Sequence, residues 1–383
     1  MIPTLLRTLN FRYVYTPWSD DRDKLYDLTA FTNMTSLTMV LPPRLTDPLK
    51  LPPNLLKLSI SCTQLHNRIS FPPGIVDLEL SYCGTMLTDG WLLPARLKRL
   101  SLHHNELSSF NAVLHCCEYL SLEGNPLQEL EIEAPVLEHI DLSYTLLTSI
   151  PKLPDSLQAL IIRSELLKLS PMSILPSSLK LLDLAGTECV ALPDLTFPSS
   201  LEELYLCEIY LLQMSGVKFA KGSKLKELSM SSCDLKTIDD RMIELPLGLK
   251  SLGLHSNLLK NIDKLTIPQT VTSLELEFNN FGSLKVKSYI ETLNLRDNYR
   301  LSRLTIPKKL ELKFLDVDQT SIRKFSFDII GAKRLTQLRL DSTVEEIDFS
   351  EMPTNFQILE YHRRRVIEGL HNYPNTNIWR PLR

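Results

Sequence analysis

One string recurs along the whole chain. LKRLSLHHNEL (97–107) returns as CEYLSLEGNPL (117–127), LEHIDLSYTLL (137–147), LKELSMSSCDL (225–235), LKSLGLHSNLL (249–259) and VTSLELEFNNF (271–281). Aligned on the first apolar position, copies begin at 34, 55, 75, 97, 117, 137, 157, 179, 201, 225, 249, 271, 290, 312, 335 and 356, a mean spacing of about 21.5 residues. An irregular copy at Leu6, Leu9 and Phe11 precedes them. A period this short leaves little choice of fold. Each copy is a unit too small to bury its own apolar face, so only stacked copies sharing a continuous core satisfy it.

Within a copy, LxLxx alternates with period two, which places leucines on one face of a short strand and the intervening residues on the other. The ninth position holds Asn105, Asn125, Asn257, Asn279 and Asn298, or Thr63, Thr145, Thr187, Thr320 and Thr343. An amide or hydroxyl buried there can satisfy backbone groups where the chain leaves the strand. Cys83 and Cys233 fill the same slot, and Cys117 and Cys189 fill leucine slots, so these four thiols belong to the core. Proline stands three residues before the first apolar position at Pro3, Pro52, Pro72, Pro94, Pro154, Pro176, Pro198, Pro246, Pro268 and Pro353. With φ fixed and no N–H, it suits an extended segment entering a strand. Intervals of 19 to 24 residues leave no room for a long helix behind the strand, so the convex side is expected to be extended or single-turn, with DDRMIEL (239–245) supplying one such turn.

Composition agrees. Leucine supplies 77 of the 383 residues, and 43% of the chain is apolar, which is enough to build a core. A formal charge of −3 argues against nucleic acid as a partner. No run of 18 apolar residues occurs, and MIPTLLRTLNFR carries no apolar run before a small-residue cleavage site, so neither a membrane partner nor secretion is expected. Seven cysteines, an odd number confined to the middle of the chain, fit reduced thiols and an intracellular location, cytoplasmic or nuclear.

The unit LPxxLxxLxLxxN resembles the leucine-rich repeat over residues 34 to 361. Its leucine-proline entry, as in LPDSLQALIIRSELLKL and FPSSLEELYL, is similar to the short repeats of bacterial effectors and to fungal arrays that follow an F-box. The resemblance implies a curved solenoid of about 16–17 repeats, with a parallel sheet on the concave face used mainly to bind other proteins. The chain departs from both subgroups in showing no F-box-like segment, helical secretion leader or ubiquitin-ligase domain. The expected organisation is an irregular first repeat and cap over 1–33, the array over 34–361, and a basic capping tail over 362–383. In the first segment Trp18, Leu25 and Tyr26 form an improvised cap, or the chain continues a longer one. In the tail Val366, Ile367, Leu370 and Trp379 cover the last repeat beside Arg363, Arg364 and Arg365.

Catalytic signatures are missing: there is no phosphate loop of the GxGxxG or GxxxxGK kind and no strained nucleophile turn. His103, His104, His115, Cys116 and Cys117 come nearest to a metal set, but Cys117 points inward and His103 outward. Neither an enzyme, a cofactor nor a metal is therefore expected. The informative surface is the outward side of the strands, whose two central columns hold nine acids and three arginines among 28 positions. Glu275, Glu277, Asp316 and Asp318 flank Arg296 in an acidic patch suited to a basic segment. Ile161, Ala185, Tyr205 and Cys207 interrupt the polar run near Arg163, with Asp183 counted among the partner contacts, and interface cores favour tyrosine and arginine. The expectation is a monomeric module that binds a protein or peptide on its concave face. The alternatives are the substrate-recognition part of an F-box-type ubiquitin ligase and a bacterial effector acting in a host cell.

Overall fold

The computed structural model describes residues 6–12, 27–41, 49–61, 69–84, 92–169, 174–187, 197–209, 216–285, 289–305, 312–326, 334–340, 344–348, 356, 358–361 and 377–379. The expected cap residues Trp18, Leu25 and Tyr26, most of the basic tail, and Cys189 lie outside them. The chain divides into two compact units, Met1–Lys168 with Ser173–Thr187, and Leu169–Met172 with Glu188–Arg383. Both are leucine-rich repeat solenoids built on parallel sheet. No helical residue occurs among the described residues, and no helix there is long and apolar enough to cross a membrane.

In the first unit the sheet runs through β1 (Thr8–Arg12), β2 (Ser36–Val40), β3 (Lys57–Ser61), β4 (Asp77–Ser81), β5 (Arg99–Ser101), β7 (Tyr119–Ser121), β9 (His139–Asp141), β10 (Ala159–Ile161) and β11 (Leu181–Asp183). Each strand pairs in parallel with the next, with equivalent repeat positions opposite one another. The intervening β6 (Ser109–Val113) and β8 (Glu129–Glu133) pair separately on the return segments. The irregular first copy thus forms β1 in register with β2.

The second unit repeats the scheme through β12 (Glu203–Tyr205), β13 (Glu227–Ser229), β14 (Ser251–Gly253), β15 (Ser273–Glu275), β17 (Thr292–Asn294), β19 (Phe314–Val317), β21 (Gln337–Leu340), β23 (Ile358–Tyr361) and β24 (Asn377–Trp379). Return segments pair as β16 (Ser283–Lys285) with β18 (Arg303–Thr305), and β20 (Lys324–Ser326) with β22 (Glu346–Asp348). The DDRMIEL segment makes a single turn, in which Ile243 N–H donates to Asp239 O at 3.2 Å.

The two leucine positions of each strand stack into inward columns. Leu78, Leu100, Leu120, Leu160 and Leu182 in one unit, and Leu228, Leu252, Leu274 and Leu293 in the other, are fully shielded from solvent. Each such side chain contributes about 1.5–3 kcal/mol by leaving water, which offsets the entropy of ordering so many short turns. Burial also pushes the Cys117 thiol up to about 11 and the Cys233 thiol up to about 12, as expected for core cysteines.

The ninth-position asparagines tie the repeats together. Asn257 Nδ2 donates to Leu254 O at 3.0 Å in its own repeat and to Met230 O at 2.9 Å in the one before, while its Oδ1 accepts from Cys233 N and Leu235 N at 3.0 Å. Asn105, Asn125, Asn279 and Asn298 bridge neighbours in the same way. Thr145 and Thr187 in this slot donate within their own repeats, Oγ1 to Leu142 O and to Leu184 O at 2.8 Å.

Proline acts differently from the sequence-based expectation. The carbonyls of Pro72, Pro94, Pro154, Pro176, Pro198, Pro246 and Pro268 each accept the N–H three residues on, at 3.1–3.2 Å, so proline opens a β-turn and not an extended entry. Leu114 and Ala134 make the same turn without proline, since the first position needs only an acceptor carbonyl.

Candidate binding surface

On the outward side of the first unit, β10 ends at Ile161, which is half-buried and faces Asp141 and Asp183 across the sheet. Arg163 follows two residues later, where the chain leaves the strand. Asp183 is 5% exposed and uses both carboxylate oxygens: Oδ1 accepts Ala185 N–H at 3.0 Å, and Oδ2 accepts Arg163 Nε at 3.0 Å and Nη2 at 2.5 Å. That forked contact, then Tyr144 more weakly, pushes the Arg163 guanidinium above its ordinary value. The Arg163 side chain remains 46% exposed, and Tyr144 beside it is 62% exposed. A buried acid thus holds an accessible arginine in one orientation next to an accessible tyrosine ring.

The second unit carries the remaining residues predicted from sequence. Tyr205 is half-buried on β12, and its hydroxyl donates to Glu203 at 3.1 Å or Glu227 at 2.9 Å. Burial, then these two carboxylates, pushes the phenol far above its ordinary range. Ser229 Oγ lies 3.2 Å from Cys207 Sγ and 3.0 Å from Ser231 Oγ, continuing a polar track along the face.

The acidic patch is not uniformly exposed. Asp316 and Asp318 are 1% and 2% exposed, so they are not free surface charges. Arg339 lies 3.4 Å from Asp316, and Arg296 lies 3.8 Å from Asp318 and 3.1 Å from Asp297. Burial raises the Asp316 carboxyl even with Arg339 opposing. Glu275 and Glu277 stay half-buried beside His255, and burial pushes the Glu277 carboxyl up to about 7, with Glu275 and Asp316 adding to the rise.

A further row of side chains escaped the sequence-based prediction. The residue before the ninth position has a left-handed backbone in repeat after repeat, with φ of 53–57° at Tyr82, His104, Tyr144, Glu208, Ser232, Ser256, Phe278, Asp297 and Gln319, and 69° at Gly124 and Gly186. At Tyr82, Tyr144 and Phe278 this turn carries the side chain out along the edge of the face. Tyr82 is 57% and Phe278 51% exposed, and Tyr82 stacks on His104 with ring centroids 4.8 Å apart. His104 fills the space above Gly124, where an added Cβ would stand 2.2 Å from its Nδ1, so a side chain at 124 would have to displace the imidazole.

No protein-family profile matches the chain. It is 27% identical to human Toll-like receptor 9 over 276 residues, which are 66% of this chain and 26% of the receptor. The chain therefore spans about a quarter of that relative. Among solved structures, YopM from Yersinia enterocolitica aligns with a TM-score of 0.49 and 21% identity, over 74% of this chain and 64% of that one. YopM from Yersinia pestis, described as a leucine-rich effector protein, aligns with the same score and identity over 72% and 88%. TLR13 in complex with ssRNA13 aligns at 0.46 and 15%, over 92% and 75%.

Proposed function

We propose that the protein is a non-catalytic interaction module that grips a protein or peptide partner on the outward face of its sheets. The observation that carries this reading is the Arg163–Asp183 contact beside Tyr144: a half-exposed arginine is fixed by an almost wholly buried carboxylate, with an exposed aromatic ring alongside. Ordering a long side chain before association lowers the entropy lost on binding, and arginine and tyrosine are the residues that most often dominate interface energetics. Tyr205 is the corresponding contact in the second unit. The acids that steer a basic segment of the partner are Glu275 and Glu277, because Asp316 and Asp318 are buried and serve to orient Arg339 and Arg296. A substrate receptor of a ubiquitin ligase or a bacterial effector would use this face in the same way, and an intracellular location suits either.

The test compares capture from lysate by wild type, by Arg163→Ala with Tyr144→Ala, by Tyr205→Ala, and by Lys221→Glu on a return segment, all confirmed to melt alike. Loss of about 2 kcal/mol or more in affinity with the face variants, and none with Lys221→Glu, is the expected result. Retention of every partner by the face variants would refute the assignment. Capture abolished by nuclease would assign a nucleic-acid partner in place of a protein.

A further inference from the structure

The repeat stacks one imidazole against two carboxylates that have no cation of their own. Gly253 on β14 lies directly opposite Glu275 on β15, so two residues further along each strand exit His255 stands beside Glu277. One ligand atom from each of His255, Glu275 and Glu277 lies within 4.8 Å of the other two, and all three residues are half-buried. Glu277 Oε2 is shielded from solvent and has no hydrogen-bond partner. Arg296, the next repeat's equivalent of Glu277, is turned toward Asp297 and Asp318, and among the described residues no ion pair holds Glu275 or Glu277. His255 Nδ1 lies 3.2 Å from Ser256 Oγ, and with Nδ1–H donating to that hydroxyl the Nε2 lone pair is available to an ion. A ring nitrogen oriented by a second hydrogen bond is the usual condition of a histidine ligand.

We infer that His255, Glu275 and Glu277 form a binding site for a divalent first-row transition-metal ion of the zinc type. Two adjacent carboxylates lacking a counter-ion create a local negative potential, and an ion satisfies the buried Oε2. The imidazole selects the ion class. Nitrogen with carboxylate oxygen suits Zn²⁺, whereas Ca²⁺ and Mg²⁺ take all-oxygen shells. Three protein ligands leave a coordination position open, as in zinc sites that bind a further molecule. The site shares Glu275 and Glu277 with the acids proposed to steer a basic segment, so an occupied site removes the negative charge they offer to it.

Zn²⁺ titrated calorimetrically into the metal-free full chain at pH 7.5 is the direct test. His255→Gln and Glu277→Gln should each weaken binding on the order of tenfold or more, while His103→Ala should leave it unchanged. Co²⁺ should give a visible absorption band in wild type that both variants lose, and excess Mg²⁺ or Ca²⁺ should not displace it. Glu277→Gln keeps the side-chain shape and removes a buried charge, so its metal-free melt should match or exceed that of wild type, which separates ligand loss from unfolding. Absence of Zn²⁺ binding, or binding that survives both variants, would overturn the assignment.

Discussion

Asn257→Ala removes one side chain and leaves backbone groups of two repeats without partners. The amide accepts from Cys233 N and Leu235 N and donates to Met230 O and Leu254 O. Leu254 O keeps a second donor in Asn279 Nδ2 at 2.9 Å, so the loss falls on the two N–H groups and on Met230 O. Cys233 and Leu235 are each 4% exposed, which leaves little access for water to replace the amide. A buried donor left unsatisfied costs about 1–3 kcal/mol, so the two together give a destabilisation of about 3 kcal/mol once some water entry is allowed. Asn257→Thr retains the donor to Leu254 O, as Thr145 does to Leu142 O, but supplies no Oδ1 acceptor to the preceding repeat, and it should lose nearly as much. Native-state hydrogen exchange provides the assay, because it reads the Cys233 and Leu235 amides directly and does not require a repeat array to unfold in one step. Both amides should lose protection on the order of a hundredfold, with smaller effects in the first unit. Unchanged protection at these two amides would show that asparagine does not join the repeats as described.

Two other outcomes follow from the same structure. Leu252→Ala should cost about 2–5 kcal/mol in chemical denaturation through lost burial and the cavity left, whereas Ser251→Ala, outward on β14, should cost little; equal midpoints would contradict the inward and outward assignment. In the metal-free protein, the carboxyl of Glu277 faces His255, Glu275 and Asp316, and it is raised from 4.5 to about 7, so the folded state holds a proton that the unfolded state has released. Stability therefore falls as pH rises across that window, and Glu277→Gln should gain about 1–2 kcal/mol over wild type at pH 8, after allowance for partial solvent screening, with little gain at pH 5; a gain independent of pH would contradict the cause given.

Much of this fold is legible in the sequence because a period near 22 residues has one physical solution, and the leucine columns through Leu252 and Leu274 follow from alternation alone. The proline turn was less legible, since the fixed φ of proline suits an extended entry and the first position of a turn equally. Burial of Asp316 and Asp318 was hidden because alternation gives the side of the sheet a residue occupies but not the depth to which its neighbours cover it. The exposed row of Tyr82, Tyr144 and Phe278 follows from a left-handed turn that no side-chain pattern announces, because tyrosine, serine, glutamate and glycine all occupy it. His255 and Glu277 stand a full repeat apart, far outside the short spacings by which metal ligands are recognised in a sequence; stacking alone brings them together.

Side-chain footprinting of the isolated complex with hydroxyl radicals tests the assignment of the outward face most directly. Aromatic and aliphatic side chains are modified in proportion to their exposure, so one experiment compares the face with the return segments. Tyr144 and Tyr205 should be protected in the complex, while Leu92, Ile174 and Leu247, all more than 80% exposed on return segments, should react as in the free protein. Protection of those three leucine and isoleucine residues with Tyr144 and Tyr205 unchanged would contradict the account and place the partner on the opposite side of the repeats.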